Sequence, residues 1–291
     1  MTTTLVLGAS GLVGSHVIAA LRDLGLEAMG TRFSMDGARD LPRLDVRDGA
    51  SVAAMVARVR PATIVLAAAT ADVEACETEP AASYDVNVRG TANVVAAARQ
   101  CGAGVVLVST DYVFDGQAGP YRENDTVRPI STYGLHKVFA ELQVIAHAPN
   151  PLVVRTTVVF GREARGKNFI ARLFSELEAG RCIKVPIDQV GTPTYAPDLA
   201  QAIVALVRAG AGGVVHAVGN ERMTRLELAQ RAAQVLGLDC SLIEGVTTEM
   251  LGQRAARPLS AGLVTSRAVA ELGIEMRGVE AAVADMSWST G

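Results

Sequence analysis

The segment Thr4-Leu-Val-Leu-Gly-Ala-Ser-Gly-Leu-Val-Gly14 decides how this chain begins to fold. Its first half is a short, nearly continuous apolar run of the kind that forms a strand buried on both faces. Its second half carries glycines at positions 8, 11 and 14 and leads into a helical pattern over Leu12–Leu24. Glycine permits the tight turn and the close helix–strand approach that such a unit needs. We therefore expect a buried strand, a glycine turn and a helix, in that order.

Further along the chain, other apolar runs alternate with Ala-rich amphipathic stretches. The runs are Ala62–Ala67, Gly104–Ser109 and Leu152–Thr156, and the predicted helices include Gly49–Val59 and a long one over Ala81–Gln100. Strands and helices that alternate at this spacing indicate an α/β protein with a doubly wound parallel Rossmann sheet. In such a sheet, ligand sites lie at the carboxyl ends of the strands.

The regular alternation weakens after about residue 160, where prolines divide shorter elements. We therefore predict two parts. Residues 1–160 form the dinucleotide-binding Rossmann domain, to which a later segment of roughly 195–220 returns. Residues 161–291 form mainly a smaller C-terminal α/β domain that covers the substrate.

Composition excludes several classes of function. The chain has 291 residues, with 27 basic and 30 acidic side chains and a net charge of −3. It has no run of Lys or Arg, so we expect no binding to nucleic acid or to an anionic membrane surface. Its four cysteines and four histidines are scattered, which predicts free thiols and no metal site. With no export signal and no membrane span in the sequence, we expect a cytoplasmic protein.

The glycine turn also predicts a dinucleotide site, because N–H groups and the dipole at a helix N-terminus favour a pyrophosphate. At the end of the second strand, Ala28–Ser34 has no acidic residue to bind the ribose hydroxyl of NAD and carries Arg32 instead. A guanidinium there suits the 2′-phosphate of NADP(H). The alternative is a solvated Arg32 with relaxed cofactor preference. Asp45 and Val46 fall where such folds bracket the adenine.

Tyr133-Gly-Leu-His-Lys137 predicts the catalytic centre, because residues four apart on a helix share one face. The pKa of a tyrosine phenol is ordinarily about 10, and a nearby ammonium is expected to lower it toward neutrality. Thr110 follows a buried strand, so its hydroxyl would polarise a carbonyl to which Tyr133 donates a proton. A serine hydrolase is the competing chemistry, but the sequence has no Gly-x-Ser-x-Gly element.

Taken together, these motifs resemble those of the extended short-chain dehydrogenase/reductases, and more narrowly the dTDP-4-dehydrorhamnose reductase family. The most specific strings are Ser109-Thr-Asp-Tyr-Val-Phe-Asp-Gly116 and Asp188-Gln-Val-Gly-Thr-Pro-Thr194. Others are Glu77–Pro80, Asn87–Asn93, Pro120–Glu123 and Arg257–Ser260. The resemblance implies hydride transfer from NADPH to the 4-keto carbon of a nucleotide-linked deoxysugar, as in dTDP-rhamnose biosynthesis.

The resemblance also implies roles for individual residues. Thr110, Tyr133 and Lys137 correspond to the catalytic triad of the family, and Tyr133 and Lys137 also contact the cofactor. The other cofactor contacts lie in the glycine turn and after the third main strand: Gly8, Ser10, Gly11, Leu12, Val13, Ala67, Ala68 and Ala69. The candidate substrate contacts, each of which has an alternative role in a capped turn or in core packing, are Asp111, Tyr112, Asn168 and Phe169.

Three departures from the family pattern bear on the substrate and on metal binding. The family's Asn-Ala-Ala-Ala-Tyr reads Leu66-Ala-Ala-Ala-Thr70 here. Val158 replaces a Trp that the reductases often carry, which removes an aromatic contact surface for the sugar. His16 stands where some reductases have a glutamate linked to magnesium, so we expect no metal.

Other functions stay open. The motifs also resemble those of the regulatory β subunit of methionine adenosyltransferase, which keeps a nicotinamide nucleotide site and serves mainly by binding a partner. The segment Gly219–Thr224 resembles that subunit as well. A nucleotide-sugar epimerase or dehydratase is a third function, although dehydratases usually carry more carboxylates than Asp111 beside Thr110. The Ala-rich helix over Ala81–Gln100 predicts a homodimer, unless its small apolar face is ordinary core.

Overall fold

The computed structural model describes residues 3–34, 40–164 and 166–286. The outer ends of the two predicted domains, residues 1–2 and 287–291, lie outside the described residues. The strands, in chain order, are β1 (Thr4–Leu7), β2 (Ala28–Thr31), β3 (Thr63–Leu66), β4 (Gly104–Thr110), β5 (Pro151–Thr156), β6 (Val159–Phe160), β7 (Ile183–Pro186), β8 (Val190–Gly191), β9 (Thr194–Tyr195), β10 (Gly213–His216), β11 (Met223–Thr224) and β12 (Ile243–Val246).

The α-helices are α1 (Leu12–Asp23), α2 (Gly49–Val59), α3 (Val73–Thr78), α4 (Pro80–Tyr84), α5 (Gly90–Cys101), α6 (Thr132–His147), α7 (Phe169–Glu178), α8 (Ala196–Arg208), α9 (Arg225–Val235), α10 (Arg267–Glu271) and α11 (Val279–Asp285). A π-helical turn over Asp85–Arg89 joins α4 to α5. A short 3₁₀ turn over Asp111–Val113 follows β4.

Among the described residues, six parallel strands form the main sheet in the spatial order β2-β1-β3-β4-β5-β10. The chain runs outward from β1 to β2 and then crosses back to β3, so the strand order reverses between β1 and β3. The connections diverge at such a reversal and leave a crevice at the carboxyl ends of the strands. The predicted doubly wound parallel sheet is confirmed.

Both faces of the sheet are covered by helices, because successive side chains of a strand point to opposite faces. Leu5 and Leu7 pack with α2, α5 and α6 on one face, whereas Val6 packs with α1 and α8 on the other. Every residue of β1 is buried as a result. This double burial explains why the strand sequences are almost continuously apolar.

The chain after β5 contributes to the main sheet and to a separate core. Helix α8 packs on α1, and β10 pairs with β5 at the sheet edge. Outside the main sheet, β7 pairs with β12 and β8 pairs with β11. Helices α7, α9 and α11 pack around an apolar core that includes Phe160, Ile170, Leu173, Leu228 and Val283. This second core lies where the sequence pattern becomes irregular.

The predicted helices differ in how closely the structure follows them. Helix α2 begins at Gly49 and ends at Val59, as predicted. The predicted single helix over Ala81–Gln100 is interrupted by the π turn, a feature often found near functional sites. In that turn, Asn87 accepts a hydrogen bond from the Thr70 backbone N–H at 2.9 Å and donates one to the Thr70 carbonyl at 3.0 Å. The amide therefore ties the helix to the loop that follows β3, a contact that helical periodicity does not report.

Within residues 3–34, 40–164 and 166–286, no helix is both long and apolar enough to cross a bilayer.

Candidate active site

A cavity of about 500 Å³ opens at the reversal point of the sheet. One part of its wall follows the carboxyl ends of β1, β3, β4 and β5, and its residues include Gly11, Leu12, Val13, Ala67, Ala69, Thr110 and Thr156. The opposite part comes from the C-terminal segment, and its residues include Lys167, Asn168, Gln189, Thr224, Arg225 and Leu228. The cavity therefore lies between the main sheet and the second core.

The glycine turn is shaped by backbone contacts that leave no room for side chains. Gly8 has φ +88°, and a Cβ atom on it would lie 2.6 Å from the Ala68 nitrogen. A Cβ atom on Gly14 would lie 2.3 Å from the Gly8 carbonyl oxygen. The first glycine thus makes the turn against the end of β3, and the last lets α1 pack onto that turn.

The start of α1 fits the diphosphate of a dinucleotide. The helix begins at Leu12 after Gly11, and no side chain caps it, so its first N–H groups are available to an anion. Gly11 lines the cavity, and a Cβ atom there would approach protein only at the Gly8 carbonyl oxygen, 3.4 Å away. Leu12 and Val13 line the same wall, and Ser10 is half-buried in the turn.

The three alanines after β3 divide between cavity and turn. Ala67 and Ala69 line the cavity, and the Ala67 N–H donates to the Leu7 carbonyl at 3.0 Å, which continues the pairing of β1 and β3. Ala68 instead packs against Gly8. Small side chains at this point keep the crevice between the two strand ends open.

Arg32 is buried, with 8% of its surface exposed, and this does not match the solvated alternative. Its Nη1 donates to the Ser34 carbonyl at 3.2 Å, and its backbone pairs with that of Arg43. Its Nε is buried and has no hydrogen-bond partner among the residues that the structure describes. An orphaned guanidinium nitrogen is a donor that an anion can use. The role of Arg32 toward a 2′-phosphate stays a prediction.

Asp45 and Val46, the residues expected near the adenine, are not among the described residues that line the cavity. Asp45 accepts two parallel hydrogen bonds from Arg47, with its Oδ2 2.7 Å from Nη2. These bonds and the Arg47 charge lower the pKa of Asp45. Val46 is buried in the core that contains α2 and α5. Their contact with an adenine therefore also stays a prediction.

The structure brings Thr110, Tyr133 and Lys137 to one cavity wall. Thr110 is the last residue of β4, and Tyr133 lies in the first turn of α6, which Ser131 caps by accepting a hydrogen bond from the Gly134 N–H at 3.2 Å. Burial raises the pKa of the Tyr133 phenol, and the neighbouring Thr110 side chain lowers it less. The expected fall in this pKa is therefore wrong for this structure, because the phenol is enclosed by protein. A neutral phenol is the form that can donate a proton.

Lys137 lies one helical turn after Tyr133 and is 3% exposed. Its ammonium donates to the Val108 carbonyl at 2.7 Å. Burial lowers the pKa of Lys137 to about 8, although the charge of Glu141 raises it. The ammonium is thus held beside β4 and is charged at neutral pH.

Asp111 is a buried carboxyl directly beside the catalytic candidates. Thr157 donates to its Oδ2 at 2.7 Å, and Thr110 donates to its Oδ1 at 3.3 Å. Burial raises the pKa of Asp111, against the lowering effect of these hydrogen bonds and of Arg225. Because the bond from Thr110 is long, a carbonyl oxygen in the cavity can compete for the same proton.

Tyr112 forms an edge-to-face contact with Tyr133, with ring centroids 5.6 Å apart. Arg257 donates to the Tyr112 hydroxyl at 3.2 Å and pairs with Glu74 at 2.7 Å. These contacts hold the Tyr112 ring beside the phenol of Tyr133. Tyr112 also lines the cavity, so it is placed to contact a substrate.

Asn168 and Phe169 begin α7. Asn168 caps the helix by accepting from the Ala171 N–H at 3.2 Å, and its amide donates to Gly161 and Glu163. Asn168 lines the cavity, whereas Phe169 packs on the second core and is not among the described lining residues. Asn168 thus has the alternative role of a helix cap. A contact of Asn168 or Phe169 with the substrate stays a prediction.

Val158, which replaces the family's Trp, lines the cavity with φ +46°. A β-branched residue in this region costs on the order of 1–3 kcal/mol. Its carbonyl accepts from the Thr194 N–H at 3.3 Å, which helps to hold the strained turn between β5 and β6.

Sequence reasoning missed Arg225, which lines the cavity as the first residue of α9. It follows Gly219–Thr224 directly, and that segment was the sequence feature that could have pointed to it. Arg225 lies over the Phe169 ring, 4.9 Å from its centroid. Helical periodicity alone does not distinguish this arginine from a solvated one.

No group of three or more His, Cys, Asp or Glu that could hold a metal ion occurs in residues 3–34, 40–164 and 166–286. His16 lies with its Nε2 3.1 Å from the Arg162 carbonyl oxygen.

Proton donation from a phenol beside a dinucleotide crevice is chemistry suited to the reduction of a carbonyl. The fold and the cavity together therefore fit a Rossmann-like, dinucleotide-dependent oxidoreductase. The family described as the RmlD substrate binding domain matches residues 1–290. The chain belongs to this family, and the predicted resemblance to the dTDP-4-dehydrorhamnose reductases is confirmed.

Individual relatives agree with this assignment. The chain is 36% identical to dTDP-4-dehydrorhamnose reductase of Streptomyces griseus over 90% of its length and 86% of the relative's. A crystal structure of dTDP-4-dehydrorhamnose reductase from Bacillus anthracis in complex with NADP superimposes with a TM-score of 0.89, at 26% identity, over 98% of this chain and 99% of that one. The chain is also 29% identical to methionine adenosyltransferase 2 subunit beta of Danio rerio, over 98% of its length and 90% of the relative's.

Proposed function

We propose that this chain catalyses the NADPH-dependent reduction of the 4-keto group of a nucleotide-linked deoxysugar, as the dTDP-4-dehydrorhamnose reductases do. The observation that carries this proposal is the meeting of Thr110, Tyr133 and Lys137 on the wall of a cavity that also contains the glycine turn. When bound, the cofactor supplies the hydride. Its diphosphate would lie against Gly8, Ser10 and the start of α1, and its nicotinamide ribose against Tyr133 and Lys137.

In this mechanism the side chains hold the substrate carbonyl and move one proton. Tyr133 donates its phenolic proton to the carbonyl oxygen, which its raised pKa permits because the phenol is neutral. Thr110 donates a hydrogen bond to the same oxygen and polarises the carbonyl. The positive charge of Lys137 stabilises the phenolate that Tyr133 becomes after it has given up its proton.

The remaining assignments belong to the same proposal. Arg32 would bind the 2′-phosphate of NADP, with Asp45 and Val46 beside the adenine. Asp111, Tyr112, Asn168 and Phe169 would lie on the sugar side. We further propose that residues 1–160, with roughly 195–220, form the cofactor domain of a short-chain dehydrogenase/reductase, that residues 161–291 mainly cover the substrate, and that the protein is cytoplasmic.

The second candidate function is that of a regulatory binding subunit, as in methionine adenosyltransferase. The 29% sequence identity to the β subunit of that enzyme favours it. A regulator needs the cofactor site but not a proton donor. The intact Thr110, Tyr133 and Lys137 set supports the reductase instead, because its three groups suit proton transfer to a carbonyl.

The test compares wild type with Tyr133→Phe, which keeps the ring and removes the donor. We expect wild type to oxidise NADPH in the presence of a dTDP-4-keto-6-deoxysugar, and the variant to lose about 10²–10⁴-fold in kcat. NADPH binding, followed by fluorescence, should change little. A wild type that binds NADPH but reduces no 4-ketosugar would contradict the reductase proposal and favour the regulator.

We also propose a homodimer that uses the exposed face of α6 next to α5. Large apolar side chains there remain 39–60% exposed: Leu135, Phe139, Leu142 and Ile145. They recur every three or four residues and so form one stripe on the helix. On α5, which packs against α6, Ala92 and Ala96 are exposed and small enough to allow close helix packing.

A further inference from the structure

Arg225 is the first residue of α9, directly after its cap Thr224, and both residues line the active-site cavity. Its guanidinium lies 4.9 Å from the centroid of the Phe169 ring, and the stack fixes the plane of the group. The backbone is also fixed, because the Arg225 N–H donates to the Gln189 carbonyl at 2.8 Å. The side chain is half-buried. A positive charge is thus held in a defined place on the cavity wall.

Among the described residues, no carboxylate forms a salt bridge with this guanidinium. Across residues 3–34, 40–164 and 166–286, the Arg225 side chain makes no hydrogen bond and no ion pair. Arg155 and Arg257, by contrast, pair with Glu141 and Glu74, each at 2.7 Å. The Arg225 nitrogens are not among the buried, unpartnered side-chain atoms of the described residues, so the guanidinium is accessible from the cavity. An anionic ligand in the cavity can therefore pair with it directly.

The surrounding charges do not replace such a ligand. Burial lowers the pKa of Arg225; Tyr112 and Asp111 raise it, whereas the like charges of Arg172 and Arg257 lower it. Asp111, the carboxyl whose charge acts on Arg225, already accepts hydrogen bonds from Thr110 and Thr157. The guanidinium of Arg225 therefore remains available to the phosphate oxygens of a ligand.

We propose that Arg225 binds the diphosphate of a nucleoside diphosphate sugar and so sets the position of the sugar relative to Tyr133. This inference rests on the proposed function. A guanidinium fork matches two phosphate oxygens, and the N-terminal dipole of α9 adds positive potential at the same place. The diphosphate of the cofactor is assigned to the start of α1, so Arg225, on the C-terminal segment, is available to the second anionic ligand.

The experiment titrates thymidine diphosphate into the NADP-saturated protein by calorimetry. We expect Arg225→Met to weaken its binding by about 10- to 100-fold, because a charged hydrogen-bonding pair is lost. Arg225→Lys, which keeps the charge but not the fork, should fall between wild type and Arg225→Met. Arg181→Met, which alters an exposed arginine paired with Glu176, is the matched control and should bind as wild type does.

Each alternative outcome is distinct. Equal thymidine diphosphate affinity in wild type and in a folded Arg225→Met would overturn the inference, as would no measurable binding to wild type. Weakened NADPH binding in Arg225→Met or Arg225→Lys, measured by fluorescence, would overturn it too, since Arg225 would then serve the cofactor. If Arg225→Met does not fold, the thymidine diphosphate affinity of Arg225→Lys is compared with that of wild type instead, and equal affinities would overturn the inference. Arg225-dependent binding without reduction of any 4-ketosugar would leave this inference standing and refute the reductase proposal.

Discussion

Lys137 combines almost complete burial with a charge that the proposed chemistry needs. Its ammonium donates a hydrogen bond to the Val108 carbonyl, and Glu141, one turn further along α6, is the carboxylate whose charge raises its pKa. With a pKa of about 8, Lys137 is mostly protonated at pH 7 and loses its proton just above the physiological range. The activity is therefore expected to depend on pH through this residue.

We predict that kcat/KM for the ketosugar is level below pH 8 and falls above the Lys137 pKa of about 8. The fall should approach about tenfold per pH unit, because one proton is lost and the charged form is the active one. The measurement is a pH profile from pH 6 to 10 with saturating NADPH. Lys137→Arg stays charged to about pH 12, so any activity it retains should lack this alkaline limb. The same limb in both proteins would refute the assignment.

At the scale of elements, a buried ion pair fixes α6 against the sheet. Glu141 of α6 pairs with Arg155 of β5 at 2.7 Å, and their side chains are 6% and 5% exposed. Ser109 of β4 donates to the same carboxylate at 2.5 Å. One carboxylate thus joins the helix that carries Tyr133 and Lys137 to two strands, next to Thr110.

We predict that Glu141→Ala destabilises the protein by about 3–5 kcal/mol, because it leaves the Arg155 charge buried without its partner. Urea unfolding gives the free energy of unfolding. The double variant Glu141→Met with Arg155→Leu should recover most of the loss, since neither charge then remains. Glu176→Gln, which breaks the exposed pair with Arg181, should change stability very little. A Glu141→Ala protein as stable as that control would contradict the prediction.

At the scale of the whole molecule, folding of one chain leaves four large apolar side chains of α6 exposed along a single face. A stripe of large apolar side chains on a protein surface marks an interaction surface, and two-fold pairing of identical faces is the commonest arrangement. Because α6 also carries Tyr133 and Lys137, pairing through this helix would hold two active-site helices in place.

We predict that the protein is a dimer in solution and that Leu142→Asp converts it to a monomer. Leu142 is 60% exposed, so the change costs little within one chain but places a charge inside the proposed interface. Sedimentation velocity measures the mass of each species. Met250→Asp, at a site that is 68% exposed and lies outside this face, should remain dimeric. A monomeric wild type would refute the proposed interface.

Local sequence patterns determined much of this protein. Double burial made the strands almost continuously apolar, and the backbone contacts at Gly8 and Gly14 required glycine, so the first unit of the sheet could be predicted. Helical spacing placed Tyr133 and Lys137 on one face of α6. The strings around Thr110 and Asp188 then indicated the family.

Tertiary structure alone decided what depends on partners distant in the sequence. The pKa of Tyr133 rose because the phenol is enclosed by protein, whereas the sequence showed only the nearby ammonium. Arg32 is buried, although the sequence left a solvated arginine open as the alternative, and Arg225 lies on the cavity wall without a salt bridge to any described residue, although the sequence pattern does not single it out. The physical reason is that periodicity reports which face of an element is apolar, while burial and charge pairing depend on which other elements pack against that face.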